Sequence, residues 1–572
     1  MENNNMISIQ VNEKNLIKNI GQTFSGSSTV ISELMQNARR AKATEVRFYT
    51  EAESEDLVVI DNGEGVKDFS KLLHVADSGW DEATKKEDKP FGMGFLSCLF
   101  AAEIVIVESN GQRTIIDTQK AINQEAVLVE STGNTTPGTK ITLKNFKSPE
   151  GIEKLLGKHL SILAAGFPIG VYWNELEIKR QFAVNVLENL HEVDGVLVSL
   201  GADFFSNLHF KSYSAHTIFA YLQGLPIYCS NDFGKKIPST NDVVLHLLSD
   251  EFIPRMPDRD KLFDEALHEK TFKKIINGVV RNELLKLKAS VSPEEMMKYW
   301  YLAKTYKCND IFNDIPMLPA QVLSIPFATP IQLQDFHGNE RNLEECSRNI
   351  TRAEIESGEV KLVGYENFDC DEHTGAPWVL GNALGWLNVS EALHSGHWAN
   401  KYISLFNHHH DPDSDASELK VIIEPAGAII AIEEMKSGWV HNVSKIVVCD
   451  HYIVKTTDGL YSAEISDSAT SGYVNDELCL VVPKGDVYPG YIIEQIADFQ
   501  GEHDFYESDR DEEESHLNTL VTALRGGKPE DTLRQVVLDG CISKYPTLHG
   551  KTFVISISET GEISLIAQEL GN

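Results

Sequence analysis

Two short glycine turns, Asp61-Asn62-Gly63-Glu64-Gly65 and Phe91-Gly92-Met93-Gly94-Phe95, follow an amphipathic helix, and this ordered set constrains the fold more than any other feature. Ser27, Ser28 and Thr29 supply N-cap candidates for the helix, and Val30, Ile31, Leu34, Met35, Ala38 and Ala41 repeat at helical spacing. Glu33 and Asn37 stand one turn apart on one face of it. EVRFYT alternates as a strand does, and the apolar run LVVI ends in the first turn, where glycines permit a tight reversal. A polar, lysine-rich stretch (DEATKKEDK) separates it from the second turn, which opens the helix LSCLFAA. The strands IVIVES, RTIIDT, AVLVES and TKITLKN complete a sheet with helices on one face, an α+β arrangement. Alone, a Glu/Asn pair is ordinarily a solvated face and a glycine pair a loop. Their fixed order is what carries weight.

Each element has a chemical use if the ligand is ATP. A buried carboxylate at Asp61 accepts a hydrogen bond from the exocyclic amine of adenine, which guanine does not offer. Gly63 and Gly65 let the backbone approach the base. Gly92 and Gly94 at a helix N-terminus expose N–H groups to phosphates, aided by the helix dipole. Asn37 offers its oxygen to Mg²⁺, a hard cation that keeps waters and phosphate oxygens. Glu33 can orient and deprotonate an attacking water.

These residues resemble the GHKL superfamily of gyrase, heat-shock chaperone, histidine kinase and MutL. ELMQNARRA is similar to the family's N-box, DNGEG to its D-x-G-x-G box, KPFGMGFLS to its second glycine box, and PGTKITL to its G-T strand. The glycine box and the G-T strand look closest to the ninety-kilodalton heat-shock chaperones, and DNGEG reads more like the MutL and MORC branches. The resemblance covers residues 27–146 and implies a Bergerat α/β sandwich with a mixed, mainly antiparallel sheet. It implies Glu33 as general base, Asn37 as magnesium ligand, Asp61 as adenine reader and Thr139 as a second adenine contact. Residues 79–91 would form a lid over the nucleotide, with Ser78, Gly79, Lys89, Gly92, Met93, Gly94 and Phe95 beside Gly63 and Gly65 in the binding set. Two positions depart from the pattern. Arg40 stands where N-x-x-D-A has an acid, and Lys89 where the chaperones place a glycine. Glu33 favours hydrolysis over phosphotransfer, because sensor histidine kinases typically lack an acid there. A histidine-kinase-related phosphotransferase and a nucleotide-binding switch or scaffold with little turnover are the competing readings.

At 572 residues the chain is too long for one core, and about three or four domains are expected. The organisation read from the sequence is an ATP-binding domain at 1–180, a mixed α/β transducer-like domain at 181–290 and a helical connector at 291–357. A β-rich domain at 358–497, an acidic linker at 498–516 and a small α/β unit at 517–572 follow. In GHKL machines the transducer lends a cation to the γ-phosphate. Arg259 or Lys261 is nominated here, with Lys235 and Lys236 as rivals. SPEEMMKYWYLAKTYK reads as one helix from a serine cap, and 316–332 as a proline-spaced connector. His408, His409 and His410 can ligate a transition metal, although consecutive residues do not readily face one ion.

With 51 basic and 85 acidic residues the net charge is −34, which disfavours broad nucleic-acid binding. No run of about eighteen apolar residues and no basic flank before an apolar stretch is present, so neither a membrane span nor a secretory signal is expected. The eight cysteines form no C-x-x-C pair and suit a reducing cytoplasm. The expected protein is a cytoplasmic, Mg²⁺-dependent ATPase that pairs through its N-terminal domain and acts on an unidentified protein partner.

Overall fold

The computed structural model describes residues 12–23, 27–50, 54–75, 79–80, 84, 88, 92, 94–133, 137–149, 151–206, 216–231, 237–248, 251–255, 261–326, 344–365, 379–406, 422–431, 445–456, 459–464, 473–474, 479–483, 530, 533–534 and 551–568. The chain divides into two compact units, Met1–Val291 with Lys298–Ile311, and Ser292–Met297 with Phe312–Asn572.

The first unit opens with helices α1 (Glu13–Thr23) and α2 (Ser27–Arg40). The serines expected to cap α2 are its own first residues. Strands β1 (Glu45–Thr50), β2 (Leu57–Asp61), β3 (Ile104–Ser109), β4 (Gln112–Asp117), β5 (Val129–Ser131), β6 (Thr139–Lys144), β7 (Gly170–Trp173) and β8 (Leu176–Glu177) form one sheet in the order β5-β4-β3-β6-β2-β1-β7-β8. Every pairing in it is antiparallel except β1 with β7. Helices α3 (Leu96–Ala101), α4 (Thr118–Ile122) and α5 (Ile152–Ala164) complete the layer. Alternate strand residues Val46, Phe48, Leu57, Val59, Val105, Val107, Ile141 and Leu143 share one core with Ile31, Leu34 and Met35 of α2 and Leu156 and Leu160 of α5. The strand period of two meets the helical period of 3.6 on one side only, so the helices cover one face as expected. Each such side chain contributes roughly 1.5–3 kcal/mol by leaving water.

A second sheet follows in the same unit. Strands β9 (His191–Val193), β10 (Val196–Leu200), β11 (Ile218–Leu222), β12 (Leu225–Cys229) and β13 (Val243–Leu247) take the order β12-β11-β13-β10-β9. The segment TIFAYLQGLPIYC forms the β11–β12 hairpin. Helix α6 (Glu265–Ser290) buries Phe272, Ile275, Ile276, Val279, Val280 and Leu284. Ala165, just beyond α5, shares a small core with Phe182, Phe219, Tyr221 and Val244, which fastens the second sheet to the first domain's last helix. A Cβ at Gly166 would strike the Tyr221 ring, so only glycine allows that approach.

Two expectations need correction. SPEEMMKYWYLAKTYK is not one helix. It is helical over Pro293–Met296, tightens to a 3-10 turn at Met297–Tyr299, and resumes over Trp300–Thr305. The break puts Met296, Met297, Trp300, Tyr301 and Leu302 all in the interior, more than one helical stripe could bury. The Ser292 cap is present, its hydroxyl accepting from the Glu295 amide at 3.1 Å. Nor is 316–326 a plain connector. Met317–Leu318 pairs with Ile350–Thr351, and Leu323–Ile325 pairs with Leu387–Val389 and Glu344–Glu345.

The second unit is β-rich, as expected for residues 358–497. One sheet takes the order Glu344–Glu345, Leu323–Ile325, Leu387–Val389, Leu362–Tyr365, Ile403–Phe406. Another is built on the long hairpin Ile422–Ala431 and Lys445–Thr456. Thr552–Ile557 and Ile563–Gln568 pair as an antiparallel hairpin within the small unit read at 517–572. His408 to His410 and the acidic linker at 498–516 lie outside the described residues. Among the described residues no helix is long and apolar enough to cross a membrane.

Candidate functional site

The C-terminal half of α2 and the ends of β2 and β6 converge. β2 runs antiparallel to β6 with Asp61 opposite Thr139, so the residues expected to read adenine are cross-strand partners. Asp61 Oδ1 accepts from the Gly63 amide at 2.8 Å, and Thr139 donates to the same carboxylate from its hydroxyl and its amide. Burial pushes the Asp61 carboxyl above its ordinary range, and those bonds pull the other way. The turn after Asp61 is tied to α2, because the Glu64 amide donates to the Ala41 carbonyl at 2.7 Å. A Cβ at Gly63 would stand 2.6 Å from that same oxygen. Gly65 has φ +76°, and a Cβ there would meet Ser109 and Asn110 at 2.6 Å. Gly138, with φ +105°, is pressed against the Asp61 carbonyl.

Glu33 is buried, at 6% exposure. A Cβ on Gly94 would collide with its carboxylate, so α2 and the second glycine turn touch at the residue expected to be the base. Gly92 has φ +70°, and α3 begins at Leu96 and is only six residues long, which leaves little helix dipole. The phosphate-binding capacity expected of this turn therefore rests on backbone N–H groups rather than on the helix. Phe95 is half-buried against the core. Gly79 lies 3.3 Å, measured from a built Cβ, from the Lys71 Cβ.

The basic end of α2 is buried as well. Arg40, in the position where the family pattern has an acid, is 7% exposed and donates from Nε to Asp88 Oδ2 at 2.9 Å. Arg39 Nη2 donates to the same oxygen. Burial alone would raise the Asp88 carboxyl, but the two guanidinium groups outweigh it and hold it below its ordinary range. Arg40 Nη1 also reaches Asn37 Oδ1, at 3.4 Å.

Residues 25–147 match the family model described as histidine kinase-, DNA gyrase B-, and HSP90-like ATPase. This segment is a GHKL domain. A solved structure, the ATPase region of Saccharomyces cerevisiae topoisomerase II, aligns over 46% of this chain and 90% of its own, at 11% identity and TM-score 0.32, too low to add to the assignment. Among curated proteins none matches the sequence. The family is one of ATP-binding domains, and the GHKL segment has that character.

Of the expected site residues, the structure brings together Glu33 with Gly94, and Asp61 with Gly63 and Thr139, with Asn37 on the same helix as Glu33. Lys261 is exposed, its carbonyl accepting from the Arg255 amide at 2.7 Å, and no described contact joins it to α2. Ser78, Lys89, Met93, Arg259, Lys235 and Lys236 lie outside the described residues. The sequence reading missed Ser109, whose hydroxyl donates to the Gly138 carbonyl at 2.7 Å and accepts from the Val66 amide at 2.9 Å. It also missed Asp88, Gln36 and Gln223. An arginine in the usual acidic position was a signal that an acid must be supplied from elsewhere in the chain.

Proposed function

We propose that the first unit binds Mg²⁺-ATP between β2, β6 and α2 and hydrolyses it, using the cycle to drive conformational change. The observation that carries this reading is Asp61, raised above its ordinary range by burial yet supplied with donors by Gly63 and Thr139 beneath a glycine turn. Such a carboxylate discriminates an amine from a carbonyl, which separates adenine from guanine. Glu33 is the general base, buried beside the glycine turn that faces the phosphates. Asn37 is the residue that would hold magnesium, its side-chain oxygen in a long, 3.4 Å contact with Arg40 Nη1. The metal would neutralise phosphate charge. Gly63, Gly65, Gly92, Gly94, Phe95 and Thr139 complete the pocket, and Ser78, Gly79, Lys89 and Met93 belong to the binding set that the family resemblance implies.

The second sheet and α6 serve as the transducer, and Arg259 or Lys261 reaches the γ-phosphate when nucleotide is bound. Pairing of two copies through the GHKL domain, and an output of the chaperone or MutL/MORC kind, belong to the same proposal. A binding assay tests its core. ATP is expected to bind the full-length protein with Mg²⁺ and GTP at least tenfold more weakly, one hydrogen bond's worth. Equal affinity for both nucleotides would remove Asp61 as the reader.

A second reading has one observation in its favour. Arg40 Nη1 approaches the oxygen that magnesium needs, at 3.4 Å. If that contact persists with ATP bound, the protein is a switch that binds nucleotide with little turnover, and phosphate release is negligible under saturating ATP.

A further inference from the structure

Gln36 lies between Glu33 and Asn37 on α2 and is 1% exposed. A buried amide needs partners at both ends, since an unmet one costs as much as a lost hydrogen bond. Its Nε2 donates to the carbonyl oxygen of Gln223 at 3.0 Å, and its Oε1 accepts from Arg39 Nε at 2.9 Å. The partners fix which end is which, because a carbonyl only accepts and a guanidinium only donates. Gln223 forms the β11–β12 turn with Gly224, with φ of +54° and +82°, the pair of positive angles that a two-residue hairpin turn requires. Its own Nε2 donates to the Asp88 carbonyl at 3.3 Å. The Asp88 carboxylate takes Arg39 and Arg40, and Arg40 returns to Asn37. A ring of hydrogen bonds thus runs from the nucleotide helix to the tip of the second sheet and back.

The tip has no room to slip. A Cβ on Gly224 would strike Pro168 and lie 3.1 Å from the Phe167 Cα. Leu225, the next residue, belongs to the core of the first sheet. Any shift of α2 near Asn37 is therefore carried to β11 and β12 by direct contacts.

We propose that Gln36 and the Gln223 turn are positioning residues for the phosphate end of the site. The second sheet sets Asn37 through them, and nucleotide bound there is felt in return at the hairpin. This rests on the ATP reading above. Hydrogen exchange on the full-length protein, with and without Mg²⁺ and a non-hydrolysable ATP analogue, separates the two. Peptides spanning 57–65 and 138–143 report nucleotide at the base, and a peptide spanning 217–230 reports the hairpin. Both windows are expected to gain protection in the wild type. In Gln36→Met and Gln36→Glu the first window still responds and the hairpin falls silent. Both variants also raise KM for Mg²⁺-ATP about tenfold, the worth of one buried hydrogen bond, with kcat nearly unchanged.

Gln36→Glu is the discriminating variant, since it keeps the acceptor for Arg39 and loses the donor to Gln223. Wild-type behaviour from it would overturn the hairpin tie. A wild-type hairpin that stays silent while the base window responds would overturn the proposal and leave the ATP reading standing, whether or not the variants fold. Silence in both windows would remove the ATP reading and this one with it.

Discussion

Asp61 is held by opposed effects, and its chemistry can be tested in two directions at once. Asp61→Asn keeps an oxygen for the Gly63 amide but replaces the charged acceptor with one whose amide end repels an amine. Mg²⁺-ATP affinity is expected to fall on the order of 100-fold, the equivalent of about 3 kcal/mol for a hydrogen bond to a charged group, as read by calorimetry. The same substitution has the opposite effect on the protein without nucleotide. The folded carboxyl titrates above its ordinary value of 3.8, so below that value it is neutral folded or unfolded and costs nothing. As pH rises through the window up to the raised value, the unfolded chain ionises while the fold still holds the proton, so the cost grows and is complete above that value. Asp61→Asn without nucleotide is therefore expected to melt higher than wild type at neutral pH and with it in acid. Matching melting curves at neutral pH would contradict this account of the carboxylate. Gly94→Ala tests the other end of the site, because the added methyl collides with the Glu33 carboxylate. Phosphate release is expected to drop at least tenfold with smaller change in ATP affinity, as displacing a general base does.

Helix α2 is the element on which the site depends, and it shows which parts of the site the sequence could reveal. Its apolar stripe and the one-turn spacing of Glu33 and Asn37 follow from the helical period, which neighbouring residues alone determine. The alternation in EVRFYT and the run LVVI place Asp61 at a strand end for the same local reason. The partners of Arg39, Arg40 and Gln36 were not legible. Asp88 and Gln223 lie far along the chain, and no period links them to α2. Burial of Arg40 with Asp88 gives a further prediction. Removing the acid leaves two guanidinium groups to share a dry site, so Asp88→Ala is expected to cost about 3 kcal/mol or more in denaturant unfolding. The Asp88 carboxyl titrates below its ordinary value of 3.8, so its contribution is complete above that value and is lost as pH falls through the folded one. The difference between wild type and variant should shrink in strong acid. A difference that stays constant there would mean the pair does not stabilise the fold.

For the whole molecule, the first unit combines a GHKL sheet with a second sheet held through Tyr221, Gly166 and the Gln223 turn. The second unit is β-rich, as expected for residues 358–497, but its strand order depends on long-range pairings such as Leu323–Ile325 with Leu387–Val389, which no local pattern encodes. The break in the helix after Ser292 was hidden for the same reason, since burial on several sides overrode the helical pattern. Pairing of two copies on ATP binding, part of the proposed function, is tested on the whole chain. Light scattering is expected to show a shift from monomer to dimer mass when Mg²⁺ and a non-hydrolysable ATP analogue are added, and an unchanged mass would separate hydrolysis from dimerisation. In the proposed function this protein hydrolyses ATP with Glu33 as the base. Phosphate release by the full-length wild type and Glu33→Ala, measured beside ATP binding, tests it most directly. The account predicts release by the wild type, and a variant that binds ATP without turning it over. Failure of the wild type to bind ATP, or equal turnover in the variant, would contradict it.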